Sequence, residues 1–413
     1  MIYTDEFFNV LFLIAIALIF ARVLGYLFHK LKQPAVIGEI IAGIILSGLS
    51  IFIFSNQNFI IFNYTISTPD LGELFQSSEF VLFAEIGILF LLFISGLETS
   101  ISKLKKTEKA SFYVAIGGVI FPLVLGFLSG ILLNFSVIES VVIGLILTAT
   151  SVGVTVRTLM DLNVLNTDIG ATILGGAVFD DIIGIILLAF VMGIGSLMDA
   201  VWIGIKIAIF FILFLYIGLK IIDKVLSIGE KLLLPKSFLS ITLAILILYS
   251  FFAYEAGISG IIGAFVAGIL IGQNVRSTKI IEDVKAIGYG FFIPIFFVYV
   301  GSSLFIDKGF EISSFDTTIL FIILIVSMSI VGKIVGCGMG ARLSGMNNKE
   351  ALQVGVGMIP RMELALIIAT AAISHGILTG IVAHTILLTT IILTIVTSLL
   401  TPFLIKATFK NKN

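Results

Sequence analysis

Charged residues are scarce in this sequence: Asp, Glu, Lys and Arg make up 12% of its 413 residues. An ordinary soluble domain carries about 25%, so this composition excludes that class, and the mean hydropathy of +1.22 agrees. A net charge of -1 leaves no basic surplus for a nucleic-acid partner. The single cysteine, Cys337, excludes an intramolecular disulfide, and the three histidines lack metal-ligand spacing. The chain is therefore expected to lie in a lipid bilayer.

Long hydrophobic segments make up most of the sequence. About thirteen segments have the length needed to cross a hydrocarbon core of ~30 Å. Their predicted spans are 7–29, 34–54, 80–98, 111–134, 137–160, 168–195, 199–222, 237–255, 257–274, 286–305, 316–342, 350–374 and 377–405. Acidic rather than basic residues precede the first span, which argues against a cleaved signal peptide. The prediction is an all-α polytopic membrane protein.

Basic residues concentrate in alternate loops. Lysine and arginine lie in the first, third, seventh, ninth and eleventh loops and in the C-terminal tail. The even-numbered loops instead hold Asp70, Asp307 and Glu311, with Lys308 as their only clear basic residue. By the positive-inside rule, the N-terminus is outside and the C-terminus is cytoplasmic. Because no targeting sequence is found, the expected location is the plasma membrane of a prokaryote.

Two adjacent carboxylates, Asp180 and Asp181, lie in the middle of the sixth span. Neighbouring helix residues point roughly 100° apart, so one acid can face a partner while the other faces a cavity. Each acid costs about 2.5 to 3.5 kcal/mol on insertion scales, and intramembrane acids usually mark a proton or ion pathway. A purely structural polar cluster is the alternative.

Interrupted helices are predicted at corresponding places of two halves. The proposed division is a first half at 1–195, a linker helix at 196–236 and a second half at 237–413, an arrangement typical of inverted-repeat transporters. The fifth span carries hydroxyls at Thr148, Thr150 and Ser151, which either bind a cation or bond to their own helix. The twelfth span is broken at Pro360, because proline frees a carbonyl. Such breaks aim carbonyls and helix dipoles at one point, which suits a monovalent cation.

Six motifs occur in order over nearly the whole chain. They are VIGEIIAGIIL at 36–46, LLFISGLET at 91–99, TATSVGVT at 148–155, FDD at 179–181, PIFFV at 294–298 and GVGMIPRME at 355–363. Together they make the sequence resemble the monovalent cation:proton antiporters, in the branch that contains the NapA sodium/proton antiporters and the membrane part of the Kef potassium efflux systems. The usual glycine after Pro-Arg is replaced by Met362 here.

The resemblance implies roles for particular residues. Asp181 would alternately carry a proton or ligate Na+, and Asp180 would pair with Lys333. It also implies a homodimer, in which a transport bundle (segments four to six and eleven to thirteen) moves against a dimerisation domain in an elevator-like step. Arg361 and Glu363 are expected to stabilise the bundle or shape the cytoplasmic funnel.

The physical chemistry of these residues agrees with those roles. Lys333 lies too deep in its span to reach the interface, so it needs an anionic partner or must lose its proton. Na+ would compete with protons for the carboxylates, and antiport follows if the cavity opens to alternate sides. Release of a proton from Lys333 as well would make the exchange electrogenic.

The sequence is also compatible with other functions. Within the transporters, the alternative is a Kef-like K+/H+ antiporter, although no nucleotide-binding domain is expected after the last span. A cation channel would use the acids in a selectivity ring. An intramembrane di-aspartyl protease would need two acids on separate helices, whereas Asp180 and Asp181 share one. The expectation is a transporter of Na+ or Li+ and protons, with no enzymatic activity and no cofactor.

Overall fold

The computed structural model describes residues 5–52, 58–61, 64–67, 71–191, 197–231, 234–273, 277–302 and 315–409. The acidic and basic loop residues Asp70, Asp307, Lys308 and Glu311 lie outside these ranges. The helices are α1 (Asp5–Lys30), α2 (Ala35–Phe52), α3 (Leu71–Phe75), α4 (Ser78–Glu98), α5 (Ile101–Leu132), α6 (Val137–Thr148), α7 (Val152–Asp161), α8 (Asp168–Val191), α9 (Leu197–Lys231), α10 (Ser237–Glu255), α11 (Gly260–Gly272), α12 (Ser277–Ile287), α13 (Ile293–Ser302), α14 (Phe315–Leu343), α15 (Asn348–Gly357), α16 (Glu363–Ser374) and α17 (Gly380–Phe409).

The fold is that of an all-α polytopic membrane protein, and each predicted span overlaps one helix or two consecutive helices. Within the described ranges, eight helices are long and apolar enough to cross a membrane, and three shorter apolar helices accompany them. One small departure from the all-α prediction is an antiparallel pair of short strands, β1 (Asn58–Ile61) and β2 (Tyr64–Ser67). It lies between α2 and α3, outside the predicted spans.

The chain divides into two compact units. The first comprises Met1–Phe90 and Lys285–Ile312. Its core packs α1, α2 and α13 together with the start of α4. Gly43 of α2 lies directly against the backbone of Val298, where any larger residue would overlap the carbonyl oxygen. This contact brings α2 and α13 to backbone distance, as small residues do between membrane helices.

The second unit comprises Leu91–Val284 and Ser313–Asn413. Its α5 packs against α6, α8 and α14, and α6, α16 and α17 share an apolar core. This unit contains both broken helix pairs, α6/α7 and α15/α16, as well as the acid pair on α8. The division into sequence halves at 195 and 236 stays a prediction.

The two broken pairs begin with the same local device. α6 starts with a capping box in which Ser136 and Glu139 satisfy each other's backbone N–H groups. α15 starts with the equivalent box of Asn347 and Glu350. A capping box satisfies two of the N–H groups that a helix start leaves without partners. Both half-helices are therefore anchored at their N-termini, and each is interrupted about ten residues later.

The interruptions occur where the sequence predicts them. In the first pair, Ala149 and Ser151 leave the helical region with ψ values of 138° and 126°. In the second pair, α15 ends at Gly357 and α16 begins only at Glu363. Pro360 lies within this second break and has no N–H with which to continue a helix. The unwound backbone is buried in protein, which is the condition under which it is tolerated at membrane depth.

Candidate ion-binding site

A buried ion pair joins α8 to α14. The Lys333 ammonium donates to Asp180 Oδ2 at 2.8 Å, and both side chains are almost completely buried. The Thr150 hydroxyl, from the first helix break, donates to the same carboxylate oxygen. Asp180 Oδ1 is also buried and, within the described part of the chain, accepts no hydrogen bond. The carboxylate therefore keeps one oxygen available for a further partner.

The neighbouring Asp181 occupies a different environment. Asp180 is buried against Lys333, whereas Asp181 is partly exposed. This difference follows from the helix geometry, because consecutive residues point about 100° apart. The two acids therefore present one carboxylate to an internal cation and the other towards a more open space.

The two helix breaks are joined by hydrogen bonds to backbone carbonyls. The Ser151 N–H donates to the Pro360 carbonyl at 2.8 Å, and the Thr155 hydroxyl donates to the Gly357 carbonyl at 2.7 Å. The hydroxyl of Ser151 is buried, and in the described ranges it forms no hydrogen bond. The breaks of the two halves therefore meet, and each satisfies backbone groups that the other leaves free.

Arg361 occupies the place where the carbonyls converge. Its side chain is fully buried and donates to four carbonyl oxygens. These belong to Met358 at 3.2 Å, Ile359 at 2.7 Å, Pro360 at 3.3 Å and Leu147 at 2.8 Å. These contacts are at the C-terminal ends of α15 and α6, where the helix dipole favours a positive charge. The carbonyls that the sequence suggested for a transported cation thus already hold the guanidinium.

The remaining predicted site residues lie at or next to the two helix breaks. The Thr148 hydroxyl donates to the Leu145 carbonyl of its own helix at 2.7 Å, which is the second of the two arrangements considered for it. Only Thr150 among the three hydroxyl residues donates to Asp180. Glu363 is the first residue of α16, and its side chain lies outside the described part. Pro360 contributes its carbonyl to both Ser151 and Arg361.

Two residues of α17 support the second break and were missed in the sequence. The Arg361 N–H donates to the Thr397 hydroxyl at 3.1 Å, and the Ser398 hydroxyl donates to the Arg361 carbonyl at 3.5 Å. The sequence signal for them is a series of hydroxyl residues at helical spacing in an otherwise apolar segment. The structure buries all of them: Thr390, Thr394, Thr397, Ser398 and Thr401.

The comparison with known families agrees with this architecture. A family model described as sodium/hydrogen exchanger, transmembrane, matches residues 14–411. The chain belongs to the sodium/hydrogen exchanger family. The resemblance stated from the sequence motifs is thereby confirmed.

Curated members of the sodium/hydrogen exchanger family are similar over most of their length. The probable Na+/H+ antiporter GerT of Bacillus cereus is 35% identical over 370 residues, which cover 89% of this chain and 92% of that protein. The Na+/H+-K+ antiporter GerN of the same organism is 34% identical over 373 residues, which cover 90% of each chain. These relatives are named as transporters.

A solved structure shares the fold of this exchanger. The sodium proton antiporter MjNhaP1 from Methanocaldococcus jannaschii superposes with a TM-score of 0.61 at 19% identity. The superposition covers 97% of this chain and 96% of that one.

Proposed function

We propose that this chain is a secondary antiporter that exchanges cytoplasmic Na+ or Li+ for external protons. The observation that carries the proposal is the Asp180–Lys333 ion pair, buried beside the partly exposed Asp181 where two broken helices meet. Buried ionisable groups in a membrane protein usually serve ion or proton pathways. The names of two similar relatives support the same activity.

In the proposed cycle, Asp181 carries either a proton or the cation. A cation at Asp181 also attracts the oxygen of Asp180 that accepts no hydrogen bond in the described structure. The cation weakens the ion pair between Asp180 and Lys333, because the cation and the Lys333 ammonium compete for the same carboxylate. Cation binding on one side releases protons to that side. After the site opens to the other side, the cation leaves and the site takes up protons from there. Na+ and protons are therefore exchanged because they cannot occupy the site together.

The wider features of the proposal follow from this cycle. If Lys333 also releases its proton, two protons exchange for one cation and transport is electrogenic. The proposed site moves with a transport bundle in an elevator-like step against the dimerisation domain of a homodimer. The proposed location is a prokaryotic plasma membrane, with the N-terminus outside and the C-terminus in the cytoplasm.

Proton flux in sealed liposomes tests the proposed activity. Purified protein is reconstituted with a luminal pH dye, and Na+, Li+ or K+ is added to the outside. We expect cation-driven pH changes from the wild type and none above background from Asp181→Asn. The matched control is Asp168→Asn, the same change at the exposed start of the same helix, where Asp168 pairs with Lys106. Equal flux from wild type and Asp181→Asn would remove Asp181 from the mechanism.

The same liposomes distinguish Na+/H+ exchange from K+/H+ exchange, which is the second candidate function. One similar relative is named a Na+/H+-K+ antiporter, which favours K+ as an additional or alternative cation. A larger pH response to K+ than to Na+ would assign the chain to K+/H+ exchange. Exchange that does not respond to an imposed membrane potential would contradict the electrogenic stoichiometry.

A further inference from the structure

Lys333 lies against a glycine of α5. A methyl group added to Gly118 would be 3.2 Å from Lys333 Nζ and 2.6 Å from Cys337 Sγ. Gly118 therefore leaves the space beside the ammonium open. Pro122, one turn further along α5, lies against Gly332, the residue before Lys333. Both residues of α5 thus face the part of α14 that carries the lysine.

Pro122 changes the hydrogen bonding of the turn that Gly118 begins. In a regular α-helix, the N–H of residue 122 donates to the carbonyl of residue 118. Proline has no N–H, so this donor is missing. The carbonyl without its helical donor belongs to the glycine that lies beside the Lys333 side chain.

Lys333 needs a second hydrogen-bond acceptor when a cation binds its partner Asp180. Its amino group is fully buried, and in the described structure it donates to Asp180 Oδ2. A buried amine without an acceptor is destabilising, by about as much as the loss of a hydrogen bond to a charged group. The thiol of Cys337 is close, but sulfur is a weak acceptor. A backbone carbonyl accepts from a lysine in either protonation state.

We propose that the Gly118 carbonyl, freed by Pro122, is the second acceptor of Lys333 and receives its amino group when a cation occupies Asp180 and Asp181. Gly118 and Pro122 are then positioning residues for transport, and they set how readily the cation displaces Lys333. The inference rests on the proposed antiport.

Pro122→Ala is the sharpest test. Alanine restores the N–H donor to the Gly118 carbonyl and adds no bulk against Gly332. Lys333 then has no second acceptor, so we expect the KM for Na+ to rise about tenfold or more, with kcat within about twofold of wild type. Na+-dependent thermal stabilisation of the purified protein should move to correspondingly higher Na+ concentrations. Pro402→Ala, at the proline inside α17, controls for the general effect of removing a helix proline.

A second variant tests the same position by filling the open space. Gly118→Ala is made together with Cys337→Ala, because the added methyl group would otherwise overlap the sulfur. Compared with Cys337→Ala alone, the double variant should also raise the KM for Na+. A merely structural role would lower the melting temperature and leave the Na+ dependence unchanged.

The outcomes separate the inference from the proposed function. Wild-type liposomes that exchange protons for no cation would refute the antiport itself. Wild-type exchange with unchanged KM for Pro122→Ala, or for the double variant if Pro122→Ala does not fold, would overturn the role of the Gly118 carbonyl alone. A raised KM in these variants, absent in Pro402→Ala, supports it.

Discussion

Arg361 shows how a single side chain can stabilise an irregular backbone inside a membrane protein. Its guanidinium donates to carbonyls of both helix breaks, at Leu147 and at 358–360. Arginine suits this position because it carries five donors on a rigid plane and stays charged. The positive charge that the converging carbonyls favour is therefore supplied by the protein itself.

The Asp180–Lys333 pair makes a prediction about stability at the scale of two residues. Removing one partner leaves the other charge buried and uncompensated, which costs about 3 to 5 kcal/mol. Removing both in the double variant Asp180→Asn with Lys333→Met leaves no buried charge in the pair. We therefore expect the double variant to melt at a higher temperature in detergent than either single variant.

The measurement is a double-mutant cycle of melting temperatures for wild type, two single variants and the double variant. A coupling between the two positions is expected because their side chains touch. Melting shifts that simply add would contradict an interaction of this strength. The exposed pair of Lys106 and Asp168 provides the control cycle, for which the coupling should be small, at about 0 to 1 kcal/mol.

At the scale of elements, α5 and α14 are held at backbone distance by facing glycines. A methyl group on Gly336 would overlap the Gly117 carbonyl, and one on Gly117 would overlap the Gly336 carbonyl. Small residues at such positions allow membrane helices to pack closely. This close contact places Lys333 beside Gly118 and in reach of Asp180.

Two single substitutions on α14 should distinguish the effect of helix packing on stability from the effect of helix propensity. Gly336→Ala forces the helices apart and should destabilise the protein by about 1 to 3 kcal/mol. Gly338→Ala should be neutral or stabilising by up to about 1 kcal/mol, because its methyl group would make only ordinary contacts with the Ala351 carbonyl, whose oxygen would be 3.4 Å away. Melting temperatures of the two variants in the same detergent make the comparison. Equal losses would show that the α5–α14 contact is not as close as the geometry requires.

At the scale of the molecule, ion pairs join segments that the alternation of the predicted spans puts on the same side of the bilayer. Lys106 of the third loop pairs at 2.5 Å with Asp168, the first residue after the fifth loop. Lys236 pairs with Asp283 at 2.7 Å, which connects the seventh and ninth. If every predicted span crosses the bilayer once, all odd-numbered loops lie on the same side. Both ion pairs agree with this arrangement.

Labelling with a thiol reagent that cannot cross membranes tests which side this is. In a Cys337→Ala background, Val137→Cys places a thiol at the exposed start of α6, and Lys105→Cys places one in the lysine-rich start of α5. We expect Val137→Cys to react in intact cells and Lys105→Cys to react only after the membrane is opened. The reverse pattern would invert the proposed orientation.

The sequence by itself determined the features that depend on local composition and spacing. Hydropathy predicted the class and the spans, because crossing a hydrocarbon core requires a minimum apolar length. Proline and glycine predicted where helices are interrupted, and the adjacent acids predicted two environments, because these effects act within one or two turns.

Only the tertiary structure decided which of these groups meet. Thr150, Asp180 and Lys333 are separated by 30 and 153 residues along the chain, so no local pattern distinguishes Thr150 from Thr148 as the partner of Asp180. The same holds for Arg361, whose contact with Leu147 spans 214 residues. Such contacts depend on how closely helices from distant parts of the chain approach, and that distance is set by packing across the whole unit.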